Sequence, residues 1–321
     1  MYESFYGLQR PPFALTPDPN VFVLTETHRE ALSNLEYGIS RQKGMILLTG
    51  SAGLGKTTVM SAVLQRRSEK VHTVCLTNPS LTRSEFLETL ATSFGLTAKA
   101  CVSKATLLRE LQPLLLQRRS AGETTVLIVD EAQSLSFELL EEIRLLVNIE
   151  APDHTRMLSL VLAGQPQLSE RLNGPELAQL KQRIELRCEL RPLTAAETAQ
   201  YILVRVDMAG GAAAKIFTRD AVDTIHENAV GIPRTISVLA DNALLTAFAL
   251  NERRVTRDIV LEVCRDFHLV VTPRPGGPAQ DGVHSENVAK RQPAHNGQHA
   301  AAGVLRRAKD KISILGLTRT R

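Results

Sequence analysis

Residues 45–58 read Met45-Ile46-Leu47-Leu48-Thr49-Gly50-Ser51-Ala52-Gly53-Leu54-Gly55-Lys56-Thr57-Thr58. The first five form a short apolar run closed by glycine, which predicts a buried strand. Gly50 to Thr57 then matches GxxxxGK[ST] in full. Glycines in such a loop let backbone N–H groups turn inward, and the helix that follows adds partial positive charge at its N-terminus. Gly50, Ser51, Ala52, Gly53, Leu54 and Gly55 would cradle phosphates, with Thr58 in the same first helical turn. Lys56 can reach the β- and γ-phosphates, and the Thr57 hydroxyl suits Mg2+. ATP and Mg2+ are therefore the expected cofactors. A plain glycine-rich turn is the alternative. The apolar strand before the loop and the amphipathic TTVMSAVLQRR after it argue against that reading.

Similar short apolar runs recur at 71–76, 126–129, 158–163 and 186–190, separated by helical patterns such as RSEFLETLATSF and ATLLRELQPLLLQRR. Buried strands alternating with helices predict a parallel, doubly wound sheet. The run Val126–Val129 ends in Asp130-Glu131. At the carboxyl end of a strand beside the phosphate loop, Asp130 would hold Mg2+ through water and Glu131 would orient and polarise the attacking water. After Pro192 the apolar runs stop, and helical patterns fill about 194–208, 218–228, 232–250 and 255–268. TAAE (194–197) has the spacing of a capping box, as do Thr27 and Glu30 ahead of a helix expected at about 28–42.

The expected fold class is α/β, a P-loop NTPase αβα sandwich around a parallel five-stranded sheet, with a C-terminal all-helical lid. Its divisions are expected at 1–191, with 1–24 an extended segment packed on that body, and 192–271. A disordered linker is expected at 272–302 and a basic amphipathic tail at 303–321. The linker rests on Pro, Gly, Gln and His content. The tail rests on Val304, Leu305, Ala308, Ile312 and Leu315 sharing one helical face. That face suits an anionic membrane surface or a partner groove, and a solvated tail is the plainer reading.

The chain carries a formal charge of +4, but from Thr272 onward nine Lys and Arg stand against three Asp and Glu. The tail therefore holds +6 and the remainder −2, which argues against a broad phosphate-backbone surface. No run of about 18 apolar residues predicts a membrane span, and the N-terminus lacks the pattern of a secretory signal. The expected location is cytoplasmic, with peripheral contact at the inner membrane left to the tail. The four cysteines show no metal-binding spacing and read as reduced core residues. His295 and His299, four apart in the polar tail, read as non-metal residues.

With both phosphate motifs placed, the sequence resembles the AAA+ superfamily. That resemblance assigns a polar sensor role to Gln165 in AGQPQL. It assigns an arginine finger, reaching a neighbour's nucleotide, to Arg183 in LAQLKQRIEL. Gly231-Ile232-Pro233-Arg234 is similar to the second sensor, where Arg234 would contact ATP from the lid. A narrower resemblance joins FYGLQRPPFALTPDPNVFVLTETHREALSNLEYGI, LLTGSAGLGKTT, IVDEAQSL, LAGQPQL and GIPRTISVLADNALLTAF. Together these look like the ExeA/GspA-type ATPases of general secretion, pilus biogenesis and exosortase-linked export, over about residues 1–268. It implies that the N-terminal segment helps wall the adenine pocket. Some members continue into a membrane span and a peptidoglycan-binding domain. Neither is seen in this sequence, so contact with the envelope is expected through a partner or the tail.

Three functions are weighed. The first is an oligomeric ATPase, in a ring or filament, that assembles or remodels a secretion, pilus or export apparatus and meets an envelope or export-system protein. The second is a DNA-associated AAA+ ATPase of the transposition-regulator or initiator kind. The near-neutral body and the lack of a 70-residue unit after the lid count against it. The third is a nucleotide switch without turnover, which the intact Lys56, Asp130 and Glu131 oppose.

Overall fold

The computed structural model describes residues 1–14, 25–77 and 81–269. By its internal contacts the chain divides into two units. One holds the described residues of Thr16–Leu193 together with Ile232–Arg234. The other holds Thr194–Gly231 and the described residues of Met1–Leu15 and Thr235–Arg321. The expected linker and amphipathic tail, from residue 272, lie outside the described residues, as do His295 and His299.

In chain order the first helix is α1 (Tyr2–Tyr6), which belongs to the helical unit. The α/β unit then runs α2 (Glu26–Ser40), β1 (Met45–Thr49), α3 (Lys56–Arg66), β2 (Val71–Leu76), α4 (Arg83–Phe94), α5 (Ala98–Val102), α6 (Lys104–Ser120), β3 (Thr124–Val129), α7 (Phe137–Val147), β4 (Ser159–Gly164), α8 (Pro166–Leu172), α9 (Ala178–Lys181) and β5 (Ile184–Glu189). The strands pair in parallel in the order β2-β3-β4-β1-β5.

This order puts β1 between β4 and β5, while the chain leaving β1 crosses to the far edge at β2. The carboxyl ends of β1, β3 and β4 therefore flank a topological switch point, where open α/β sheets bind ligands. Alternating side chains divide the sheet into two cores. Met45, Leu47, Leu127, Val129, Leu160 and Leu162 meet α4 to α7 through Phe86, Leu107, Leu111 and Ile143. Ile46, Leu48, Val126, Ile128, Val161 and Ala163 meet α2 and α3 through Leu35, Ile39, Val59 and Val63. Burial on both faces is why these strands read as unbroken apolar runs.

The edge strand β5 differs: Glu185, Arg187 and Glu189 are its exposed residues. It begins at Ile184, ahead of the run expected at 186–190, because an edge strand need not be continuously apolar. The α4 bounds coincide with the RSEFLETLATSF pattern. Thr82 and Glu85 cap that helix reciprocally.

The helical unit contains α10 (Ala195–Met208), α11 (Ala213–Ile216), α12 (Arg219–Ala229), α13 (Pro233–Ala249, apart from its first two residues) and α14 (Arg257–Asp266). Ile202, Val206, Ile225, Leu239, Leu244 and Val260 are each at most 1% exposed and form its core. The capping box of Thr194 and Glu197 forms as the sequence suggests.

Three expectations need correction. The N-terminal residues are not uniformly extended, since Tyr2–Tyr6 is helical, and the described residues 1–14 group with the helical unit. The reason is aromatic anchoring. Phe13 is 1% exposed and meets Phe217 edge-on, and Phe5 lies edge-on to Phe248 at 5.3 Å. The Tyr2 hydroxyl donates to Asp241, and Arg205 donates to the carbonyls of Pro12 and Ala14. Second, Thr27 and Glu30 do not cap α2. The helix starts at Glu26, and the Thr25 hydroxyl turns to His28 instead. Third, of the four free cysteines only Cys188 and Cys264 are buried; Cys101 is half-buried and Cys75 faces outward on edge strand β2. Among the described residues, no helix is long and apolar enough to cross a membrane.

Candidate functional site

The phosphate loop leaves β1 at Gly50, whose N–H donates to the Gly164 carbonyl at the end of β4 (3.2 Å). Two glycines have a conformational reason to be there. Gly53 (φ +82°) and Gly55 (φ +94°) occupy the left-handed region that side chains avoid. At Gly53 a Cβ would also come within 2.9 Å of Ile232 Cγ2 and 3.0 Å of Arg234 Cβ. Gly55 is the N-cap of α3, so the loop feeds directly into a helix N-terminus.

Lys56 is 5% exposed, and its ammonium donates to the carbonyls of Gly50 (2.9 Å) and Ser51 (3.3 Å). Those carbonyls hold the side chain folded back along its own loop. Burial pushes the Lys56 amine below the ordinary lysine range, while Glu131 and Asp130 pull it back up. The nearby carboxylates thus favour retention of the positive charge.

The Thr57 hydroxyl donates to Asp130 Oδ2 at 2.8 Å. Asp130 is itself buried, and its Oδ1 accepts the Glu131 N–H at 2.8 Å. A hydroxyl and a carboxylate brought together this closely are hard oxygen donors of the kind Mg2+ takes. The pair therefore fits the expected cation.

Glu131 stands in the left-handed region (φ +53°), rare for a non-glycine residue and a feature that clusters at functional sites. From there its Oε2 accepts from the side-chain amides of Gln133 (2.5 Å) and Gln165 (3.4 Å). Gln165 is the N-cap of α8, with Pro166 as the first helical residue. The structure therefore brings Lys56, Thr57, Asp130, Glu131 and Gln165 into one cluster. The Arg234 N–H donates to the Gly53 carbonyl (3.3 Å), which places that residue against the phosphate loop. Arg183 takes no part in the cluster. It sits half-buried just ahead of β5, its N–H bonded to the Leu180 carbonyl.

Sequence reasoning missed three residues. His28 is 3% exposed and spans from the Thr25 hydroxyl (2.5 Å) to the Leu54 carbonyl (2.8 Å), so it buttresses the phosphate loop from α2. Because a carbonyl can only accept, Nε2 carries the proton toward Leu54. The signal was a lone histidine in line with Ala31, Leu32, Leu35 and Ile39 on the buried face of a helix. Gln133 and Arg171 are the others; Gln133 lies inside the quoted IVDEAQSL string, but its partners are distant in sequence.

A parallel sheet with a phosphate loop and an acidic pair at its switch point is the P-loop NTPase fold. Residues 39–172 match the AAA domain family, and the chain carries that domain. It is similar to general secretion pathway protein A of Aeromonas hydrophila, at 39% identity over 79% of this chain and 46% of the relative. It is also similar to ATP-dependent target DNA activator B of Escherichia phage Mu, at 30% identity over 53% of this chain and 52% of that protein. The chain thus spans about half the length of these relatives. The ORC2 protein of Aeropyrum pernix, solved in ADPNP–ADP complexes, shares the fold. Its TM-score is 0.60 at 17% identity, over 80% of this chain and 71% of that one.

Proposed function

We propose that the protein binds ATP with Mg2+ and hydrolyses it. The single observation that carries this reading is the Thr57–Asp130–Glu131 arrangement beside a phosphate loop whose lysine is buried. Gly50 to Thr58 would hold the phosphates, with Lys56 releasing its loop carbonyls to take the β- and γ-oxygens. Thr57 and Asp130 would hold the cation, which when bound neutralises charge that builds on the phosphate oxygens. Glu131 would accept a proton from water as its oxygen bonds to the γ-phosphorus and the bond to the β,γ-bridging oxygen breaks, releasing ADP and phosphate. Gln165 would touch the γ-phosphate or the attacking water, Arg234 would contact ATP, and Arg183 would complete the site of the next protomer in a ring or filament.

Lys56→Ala should abolish binding of labelled ATP in the presence of Mg2+. Glu131→Gln should keep binding but lose turnover by at least about a hundredfold, the lower end of what a positioned general base contributes. Wild-type turnover in Glu131→Gln would overturn the assignment of the base.

The further reading is that turnover drives assembly or remodelling of a bacterial secretion, pilus or export apparatus, with an envelope or export-system protein as partner. Similarity to general secretion pathway protein A over 79% of the chain supports it. The protein would work in the cytoplasm, with any inner-membrane contact made by the tail. Unimpaired export in a deletion strain would count against this role. A second reading, action on DNA, is favoured by the shorter similarity to a target DNA activator. An ATP-dependent, salt-sensitive shift of duplex DNA in a gel would establish it in place of the first.

A further inference from the structure

Gln133 follows the acidic pair in a 3-10 turn (Ala132–Ser134), and its carboxamide is committed at both ends. The nitrogen donates to Glu131 Oε2 at 2.5 Å, and the oxygen accepts the Gln165 N–H at 3.0 Å. Chemistry fixes this orientation, because a carboxylate can only accept and a backbone N–H can only donate. The Gln133 backbone is held as well: its carbonyl accepts from Arg171 Nη1 at 2.6 Å. The surroundings leave this amide a close-fitting seat. A Cβ at Gly164 would come within 2.8 Å of Gln133 Oε1, so the end of β4 is glycine where the amide lies against it. The neighbours Ala132 and Leu168 are fully buried.

We propose that Gln133 is a positioning residue that fixes the Glu131 carboxylate and joins it to the Gln165 sensor, with Arg171 on α8 bracing the joint. This rests on the hydrolytic reading above and deepens it. A glutamate side chain has three rotatable torsions and gains entropy by spreading over them. The Gln133 amide removes that freedom at one carboxylate oxygen and leaves the other available to a water. Because the same amide grips the backbone of Gln165, base and sensor keep a set spacing, and a shift of α8 would move both. Such preorganisation raises the rate of the chemical step without adding to nucleotide affinity.

The test compares ATP turnover, labelled-ATP binding and melting temperature in the full chain for wild type, Gln133→Leu, Gln133→Glu, Arg171→Ala and Arg171→Lys. Gln133→Leu keeps the bulk and loses both bonds. Its kcat should fall about 10- to 100-fold, the scale of a misplaced reacting group. Its KM and ATP affinity should stay within roughly threefold, the pattern of an interaction that serves the chemical step. Gln133→Glu preserves the acceptor for Gln165 but sets a second carboxylate against Glu131, so its kcat should fall too. Arg171→Lys should retain more turnover than Arg171→Ala. A Gln133→Leu protein with unchanged or raised kcat overturns the proposal. Loss of kcat, ATP binding and melting temperature together would assign Gln133 a merely structural role and also overturn it. An inactive wild type, or a Glu131→Gln variant as fast as wild type, is a different failure: it sinks the hydrolytic reading and this proposal with it.

Discussion

His28 shows how a residue outside every phosphate motif can govern the motif's shape. Its imidazole closes a line from the Thr25 hydroxyl to the Leu54 carbonyl, beneath Gly55. Substituting His28→Leu leaves that carbonyl without its donor, a change that costs about 1–3 kcal/mol when the group is buried. The variant should melt several degrees lower, and its ATP affinity should fall because the loop is less well held. Calorimetry and a labelled-nucleotide titration would check both; wild-type values in both would refute the buttress. At this scale the sequence is uneven. Lys56, Thr57, Asp130 and Glu131 stand in short, fixed strings and can be found by eye. His28, Gln133 and Arg171 act on them from other elements, through contacts that only folding creates.

Elements were legible where burial is two-sided or where a cap is local. Strands β1 and β3 read as apolar runs because both faces of the sheet are covered. The Thr194–Glu197 box is a four-residue signal, and the helix it opens starts where expected. Thr194→Ala should lower stability by about 1 kcal/mol, the usual cost of losing such a cap. Chemical denaturation followed by far-ultraviolet circular dichroism would measure it, and no change in midpoint would show that the cap is idle. Helix α1 was not legible. Its five residues are too few to hold a helix by propensity, and what fixes them is aromatic contact with α13 and the turn after it, more than 230 residues away in sequence. Thr27 is not a cap because the helix starts at Glu26, one residue ahead of it, with Thr25 in the N-cap position.

At the scale of the whole molecule, the α/β unit brings Thr57, Asp130, Glu131 and Gln165 together beside the buried Lys56, while Arg183 lies apart from them. If Arg183 serves a neighbour, Arg183→Ala and Lys56→Ala proteins, each inactive alone, should regain turnover when mixed. Random mixing gives an intact pairing at roughly a quarter of head-to-tail interfaces. Absence of any recovery at concentrations where the chains associate would show that sites are not shared. The sheet itself limits how such an association can form. Its β5 margin presents Glu185, Arg187 and Glu189, and charge along an unpaired strand discourages another chain from extending the hydrogen-bond ladder. An association through that margin would rest on side chains, and contacts of that kind can be dissolved and remade where a continuous sheet would lock.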